Sequence, residues 1–544
     1  MKNYLTLFVC LFIITDQSVA NKIQKSTEAD SPVTIYYGLN ESHSRDWAQI
    51  NANDVVGITY FQRFGNSYNE GTLVYKTINP DGSENIETVT TGNRLEISVL
   101  LFDELCNPHI FVASSTDYDQ IIDHYYKNGN GQWQSETIIH FYNEGGKFIY
   151  ELSADIGPDY SFHLLILKTR SNIDSDDFFD AWINSYLYHL TNATGSWVKE
   201  LIDNYDMAYT YDMYIKSSIR QDIKVDDNGF AHVTFGEQIN AADDPSRLRY
   251  ATNKTGNWVI ETALNYDAGS RDDAGWFPSL CLDNNGTPYI SCMYVKRVYT
   301  YSATYCRLLL LKRLGNNNWH SEIIADHDDG YYGGDGRNYT GALSHLVFDK
   351  NNTPHIIFSD IASTHWPGSQ LLNIGNIRYG VLKNGVWDIT TIYRQPLPTG
   401  FVNATEMHGL CLLISDLTDT IRVIGQELKI TGENQYTCSL INFEWDDINA
   451  IDNTSIYQYK LNQNYPNPFN SSTLISYTVP RSSFVTLKVY DLLGREIQTL
   501  VNETQEADSY SIRFDGSRFS TGIYIYRLQS GNEFTETNKM VFIK

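Results

Sequence analysis

The sequence predicts an all-β chain: a β-propeller, of seven blades with six as the alternative, followed by a small C-terminal β-sandwich. Three observations predict it. A strand–turn–strand unit recurs through the middle of the chain, a Trp recurs behind it at a near-constant interval, and near Asp446 the composition changes to a tail that carries neither mark. Fixed-period self-similarity of this kind signals a repeat architecture.

The first half of the unit reads FDELCNPHIFV at Phe102–Val112, VDDNGFAHVTF at Val225–Phe235, LDNNGTPYISC at Leu282–Cys292 and FDKNNTPHIIF at Phe348–Phe358. Six positions separate the Asp (Asp103, Asp226, Asp283, Asp349) from an aromatic (His109, His232, Tyr289, His355). A looser copy, ADIGPDYSFHLLI, sets Asp155 and His163 two residues further apart. Asn and Gly tolerate positive φ, so each Asp-Asn-Gly stretch predicts a hairpin. The second half places Trp133, Trp197, Trp258, Trp319 and Trp387 at spacings of 64, 61, 61 and 68 residues. Four of them have an acid three positions later: Glu136, Glu200, Glu261 and Glu322. Each unit therefore holds four short strands, the content of one propeller blade. Two degenerate units, Ala48–Val89 and Gly409–Trp445, flank the five, and VTIYY at Val33–Tyr37 is a candidate for the missing strand that closes the ring and hides its open edges.

Composition bounds the partners. The 544 residues are 42% hydrophobic and include 39 Tyr, enough apolar and strand-favouring material for a large core. The formal net charge is −25. Nucleic acid and anionic membranes call for clustered Lys and Arg, so neither is an expected partner. Lys2, the apolar stretch Leu5 to Ile14 and Ser18-Val19-Ala20 read as a signal peptide cleaved after Ala20. The apolar stretch is about ten residues where a span needs about 20, and no later segment spans a bilayer. Six cysteines remain: Cys106, Cys281, Cys292, Cys306, Cys411 and Cys438. Their spacing has no zinc pattern; disulfides and buried free thiols both fit.

The expected domains are thus a signal peptide at 1–20, a propeller at 21–445, a linker at 446–459 and a sandwich at 460–544. The middle resembles the propeller repeats of many secreted bacterial proteins. It lacks the Ser-x-Asp-x-Gly-x-Thr-Trp box of sialidases and the His-rich turns associated with propeller polysaccharide lyases, so this resemblance implies a fold and no activity. The tail alternates in ISYTV, VTLKVY, YSIRF and IYIYRL. Its motifs are Asn464-Tyr465-Pro466-Asn467-Pro468-Phe469-Asn470, Tyr490-Asp491-Leu492-Leu493-Gly494-Arg495, Gly522-Ile523-Tyr524 and Lys539-Met540-Val541. They resemble the type A sorting domain of type IX secretion, with Ser471 where the family often has Pro and Asp508 where it often has Gly. The resemblance implies the type IX machinery as partner, passage through the outer membrane, and a chain secreted or attached to the outer cell surface.

The repeated His and Trp recur in equivalent places, which argues for structure: a ring nitrogen bonding the Asp-turn backbone, and blade-to-blade packing with the Glu as a strand-end cap. Residues that break the repeat are the site candidates. They fall in Ser171–Ser185, Tyr266–Phe277, Asp326–Tyr339 and Ile361–Gln370. Trp276, Tyr331, Tyr339 and Trp366 offer faces for sugar stacking, while carboxylates accept from hydroxyls. Asp326, Asp328 and Asp329 before Gly330 are a candidate calcium turn, although the spacing departs from the EF-hand. Asp272 with Asp328 suits acid–base chemistry on a glycosidic bond. Tyr332 or His365 with Arg337 suits proton abstraction beside a uronate. Three functions are therefore carried forward: a binder of polysaccharide or another extracellular polymer, a glycan hydrolase or lyase, and an adhesive surface protein.

Overall fold

The computed structural model describes residues 22–24, 46–63, 70–115, 119–142, 147–171, 182–208, 221–238, 246–265, 272–297, 304–326, 338–365, 371–394, 405–432, 435–445, 460–461, 463–464, 467–479, 483–505, 508–531 and 534–543. The expected signal peptide and linker fall outside them, as does Val33–Tyr37. The chain divides into two compact units, Lys22–Asp447 and one containing Ile448–Lys544. No helix among the described residues is long and apolar enough to cross a membrane.

The first unit is a seven-bladed propeller. From inner to outer strand, blade 1 is Ala48–Ile50, Val56–Arg63, Glu70–Ile78 and Glu84–Asn93; blade 2 is Leu95–Phe102, Pro108–Ser115, Gln120–Lys127 and Trp133–Phe141. Blade 3 is Lys147–Ile156, Phe162–Ser171, Trp182–Thr191 and Val198–Ala208; blade 4 is Gln221–Val225, Ala231–Gln238, Ser246–Thr252 and Val259–Leu264. Blade 5 is Asp273–Leu282, Pro288–Arg297, Thr304–Gly315 and Asn318–Asp326; blade 6 is Asn338–Phe348, Pro354–His365, Leu371–Lys383 and Val386–Arg394. Blade 7 takes Thr405–Ile414, Ile421–Gly432 and Gln435–Trp445 from the C-terminal side and Lys22–Gln24 from the N-terminal side.

That last strand closes the ring, with Ile23 opposite Phe443. It corrects the expectation that Val33–Tyr37 would do so: a β-rich word signals strand propensity, while closure depends on which segment reaches the free edge of Gln435–Trp445. A second clasp joins blades 7 and 1. Ser415 Oγ donates to Asp54 Oδ1 at 2.5 Å, and Thr418 Oγ1 donates to Asp54 Oδ2 at 3.3 Å.

The hairpin turns form as the Asp pattern predicts. Asp103 Oδ1 accepts from the N–H of Leu105 and Asn107, and Asp226, Asp283 and Asp349 repeat this on their own turns. Blade 3 differs. There Gly157 occupies the Asp place, donating its N–H to Ser161 O, and Asp155 lies one strand-end earlier.

Apolar residues from adjoining blades form the core. Leu165, Leu167 and Leu187 of blade 3, for instance, pack on Ile223, Val233 and Phe235 of blade 4. Each such side chain contributes about 1.5–3 kcal/mol on full burial. The inner strands pose a separate problem, because each presents an unpaired sheet edge to the axis, and buried N–H groups need acceptors. The preceding blades supply them. Leu280 N–H donates to Asp222 Oδ2 (2.8 Å), Leu346 N–H to Ser279 Oγ (3.2 Å) and Leu412 N–H to His345 Nδ1 (2.9 Å). Ala154 N–H donates to Asp46 Oδ2 and Val225 N–H to Asp155 Oδ2.

The tail unit is a two-sheet sandwich. One sheet orders Lys460–Leu461, Ser472–Val479 and Asp508–Asp515; the other orders Glu496–Gln505, Ser483–Tyr490, Gly522–Ser530 and Phe534–Phe542. Its core holds Phe469, Tyr477, Val489, Phe514, Tyr526 and Met540.

Candidate functional site

Strand polarity assigns the repeat-breaking segments to one face. Antiparallel strands in fours end each outer strand at the edge where its inner strand began. The next inner strand starts from that edge, so all blades share one orientation. The ends bracketing 172–181 and 366–370 join second to third strands; those bracketing 266–271 and 327–337 join outer strands to the next inner strand. Both kinds of strand end lie at the same face, opposite the Asp turns.

Blade 5 brings Asp272 and Trp276 to this end of its inner strand. Asp272 is buried, at 1% exposure, and accepts from the Tyr294 hydroxyl at 2.9 Å. Four residues on, Trp276 is also buried. It stands between two register shifts in the inner strand, at Ala274/Trp276 and Trp276/Ser279. Gly275 has φ +89° and Phe277 φ +49°. A Cβ on Gly275 would stand 2.6 Å from Leu248 Cβ, so only glycine lets the strand lie this close to blade 4. Blade 6 repeats the device with Gly341 at φ +95° against Leu308. Asp326 is paired with Arg307, Oδ2 to Nε 3.0 Å.

Asp328, Asp329, Tyr331, Tyr332, Arg337 and Trp366 lie outside the described residues, as do the side chains of Tyr339 and His365. The backbones of Tyr339 and His365 are strand, opposite Ile361 and Leu371. Two of the calcium-turn carboxylates are thus beyond description, and no cluster of three His, Cys, Asp or Glu among the described residues suits a metal. The Asp272 partner Tyr294 and the Asp326 partner Arg307 escaped the sequence reading because they sit in regular strands and break no pattern.

Deeper along the axis lies a polar cluster that sequence reasoning also missed. Ser153 Oγ donates to Asp46 Oδ2 (2.8 Å) and lies 3.4 Å from Asp222 Oδ1; Lys224 Nζ is 3.7 Å from Asp222. Burial raises the Asp46 carboxyl, and burial pushes Asp155 up to about 6 against the opposing pull of Lys224. Burial alone would lower Lys224, yet Asp222, Asp155 and Asp46 outweigh it and hold the ammonium above its ordinary range. A trace was present in the sequence: polar residues at every second place, Ser153/Asp155 and Asp222/Lys224, inside strands otherwise patterned as buried.

The repeated histidines are structural, with corrected partners. His109 Nδ1 bonds His124 Nε2 (2.9 Å), and His124 Nδ1 meets Glu136 at 3.1 Å. His163 bonds His189 at 3.0 Å and Ser161 at 3.0 Å. His232 and His355 bond the hydroxyls of Tyr250 and Tyr379. The other ring nitrogen faces the turn carboxylate, 3.4 Å from Asp226 and 3.6 Å from Asp349, where the sequence reading had the turn backbone. That backbone is already occupied by the Asp turn itself, leaving the carboxylate's second oxygen for the ring. Burial lowers His124, His163 and His189 to about 4, so these rings are neutral near pH 7.

Cys106, Cys281 and Cys292 are free thiols.

In the tail, the sorting motifs build the core and its edge. Phe469 stacks on Phe542 with centroids 5.0 Å apart, and its N–H donates to Val541 O. Asn464 N–H donates to the Tyr526 hydroxyl (2.7 Å), Asn467 Oδ1 accepts from Val541 N–H (2.8 Å) and Lys539 O accepts from Gln463. Gly494, at φ +76°, closes the Asp491 turn. Tyr465 and Pro466 lie outside the described residues.

Residues 463–544 match the family described as the secretion system C-terminal sorting domain. The tail is a type IX sorting domain. The protein is accordingly secreted or attached to the outer cell surface. No curated protein matches the chain. Among solved structures it is similar to the polysaccharide lyase Uly1, at 11% identity over 80% of this chain and 98% of that one, TM-score 0.41. It is similar to the α-L-arabinofuranosidase Arb93A of Fusarium graminearum, 11% identical over 78% and 98%, TM-score 0.36. A third is the α-L-arabinanase of Penicillium chrysogenum, 13% identical over 63% and 92%, TM-score 0.35.

Proposed function

We propose that this exported propeller binds an extracellular polysaccharide at the face opposite its Asp turns. What supports the reading is strand polarity: the described strand ends that bracket all four repeat-breaking, aromatic- and acid-rich segments lie at one face of the ring. Tyr331, Tyr339 and Trp366 supply stacking faces, and the neighbouring carboxylates accept from sugar hydroxyls; Trp276, expected to stack as well, is buried in the inner strand of blade 5 and packs there instead. A bound calcium at Asp326, Asp328 and Asp329 belongs to the same reading.

The test is the full chain on an array of plant, algal and microbial polysaccharides, with reducing ends and unsaturated uronates read in the same wells. Retention on one class of polymer is expected, weakened at least tenfold in Tyr331→Ala or Trp366→Ala. Silence on every polymer, or unaltered binding by both variants, overturns it and leaves an adhesive role.

A second reading, glycan cleavage at the same face, is favoured by one observation: the buried carboxylate of Asp272, oriented by Tyr294. With Asp328 as its partner it would serve acid–base hydrolysis; Tyr332 or His365 with Arg337 would serve elimination. Product release that disappears in Asp272→Asn supports cleavage; binding without product dismisses it.

A further inference from the structure

We propose that the junction of blades 6 and 7 is an acid-responsive seam, with His345 as its proton sensor. The ring of inner-edge contacts carries the argument. From blade 3 to blade 7 an N–H of each inner strand donates to a side chain from earlier in the ring, and these acceptors differ in what a proton does to them. Asp46, Asp155 and Asp222 are carboxylates; protonated, they still keep an acceptor oxygen. Ser279 is a hydroxyl and does not titrate. His345 is an imidazole. The Leu412 N–H can only donate, so Nδ1 must be unprotonated and the neutral ring must carry its hydrogen on Nε2. A protonated imidazole has two donors and no acceptor, which sets N–H against N–H and strands a buried backbone donor.

The seam's position gives this loss its consequence. Blade 7 is the closing blade, held on its far side by the three-residue strand Lys22–Gln24 and by the Asp54 clasp. Weakening its near side loosens the blade least anchored by chain continuity. His345 is half-buried, in strand register with Ile357. Charged and titratable groups on the elements packed against its strand, and on the strand beyond, include His355, Cys281, Cys292, Tyr294, Cys306, Arg307, Lys312, Asp326, Asp360, Arg378 and Cys411. Of these, Arg307 pairs with Asp326 at 3.0 Å and Arg378 with Asp360 at 3.0 Å, so both carboxylates already have cations.

The sign follows from linkage. The folded state requires the neutral ring, so its contribution is complete above the unfolded value of about 6.5 and declines as pH falls below it. The experiment is hydrogen exchange of the full chain, read as protection of peptides covering 405–414 relative to those of blade 4, at pH 7.5 and pH 5. Wild type should lose relative protection at 405–414 on going to pH 5. His345→Asn, which keeps an acceptor oxygen and cannot titrate, should lose little. His345→Gln serves in its place if the Asn variant does not fold. Equal loss in wild type and variant, or no selective loss at 405–414 in wild type, overturns the proposal.

Discussion

The indole of Trp387 in blade 6 donates to Glu322 Oε1 in blade 5 at 3.1 Å, linking two outer strands that are otherwise edges. The same bond joins Trp133 to Glu87 (3.1 Å) and Trp258 to Glu200 (3.0 Å). Glu200 and Glu322, each three places after a Trp, thus serve the next blade's Trp, where a strand-end cap had been expected, while Glu136 bonds His124 of its own blade. At blade 5 the exchange is broken. Glu261 is taken by Arg313 Nε (2.6 Å) and Asn317 N–H (2.5 Å), and Trp319 packs edge-on against Tyr250 without that partner.

Trp387→Phe should therefore keep the ring packing and lose the bond, lowering stability by about 1–2 kcal/mol. Trp319→Phe should cost less, because no carboxylate is released. Urea unfolding of the two variants side by side checks the order; equal costs would show that the Trp–Glu bond contributes nothing.

Acid should weaken the propeller through the relay histidines. His124, His163 and His189 lie near 4 in the folded chain, below the unfolded value of about 6.5, because burial disfavours their charged forms. The unfolded chain takes up these protons first, so stability is complete above pH ~6.5 and falls as pH drops toward 4. Thermal unfolding from pH 8 to 4.5 checks this, and His163→Gln should flatten part of the slope.

Asp155 works in the opposite sense. Its folded value near 6 exceeds the unfolded ~3.9, so its contribution is largest in acid and is lost as pH rises through 6. Asp155→Asn keeps an acceptor for Val225 N–H and removes the titration. The stability of wild type relative to this variant should rise between pH 7 and pH 4.5, measured by paired melts.

Lys224→Met should leave Asp46, Asp155 and Asp222 without their cation and cost about 3–5 kcal/mol, the cost of breaking a buried pair. Adding Asp222→Asn should recover part of it. A double variant no better than the single would place the cost in packing.

For export, Phe469→Ala should empty the centre of the tail core at about 3–5 kcal/mol. Cells with type IX secretion should then retain the chain in the envelope, read by immunoblot of medium, surface and periplasm. Normal export would show that the folded tail core is dispensable for sorting.

The sequence by itself determined the blade. Turn chemistry at Asp103, Asp226, Asp283 and Asp349, period-two strands and the Trp interval are local marks, and local physics reads them unaided. The tail was legible for the same reason: its motifs at Asn464–Phe469 and Gly494 are contiguous. Tertiary structure alone decided how blades meet. Closure by Lys22–Gln24, the donation of Leu280 to Asp222 and of Leu412 to His345, and the gathering of Asp46, Asp155 and Lys224 at the axis join residues dozens to hundreds of positions apart. Those contacts depend on where each inner edge falls in the closed ring. A pattern read along one strand carries no information about the strand that will face it.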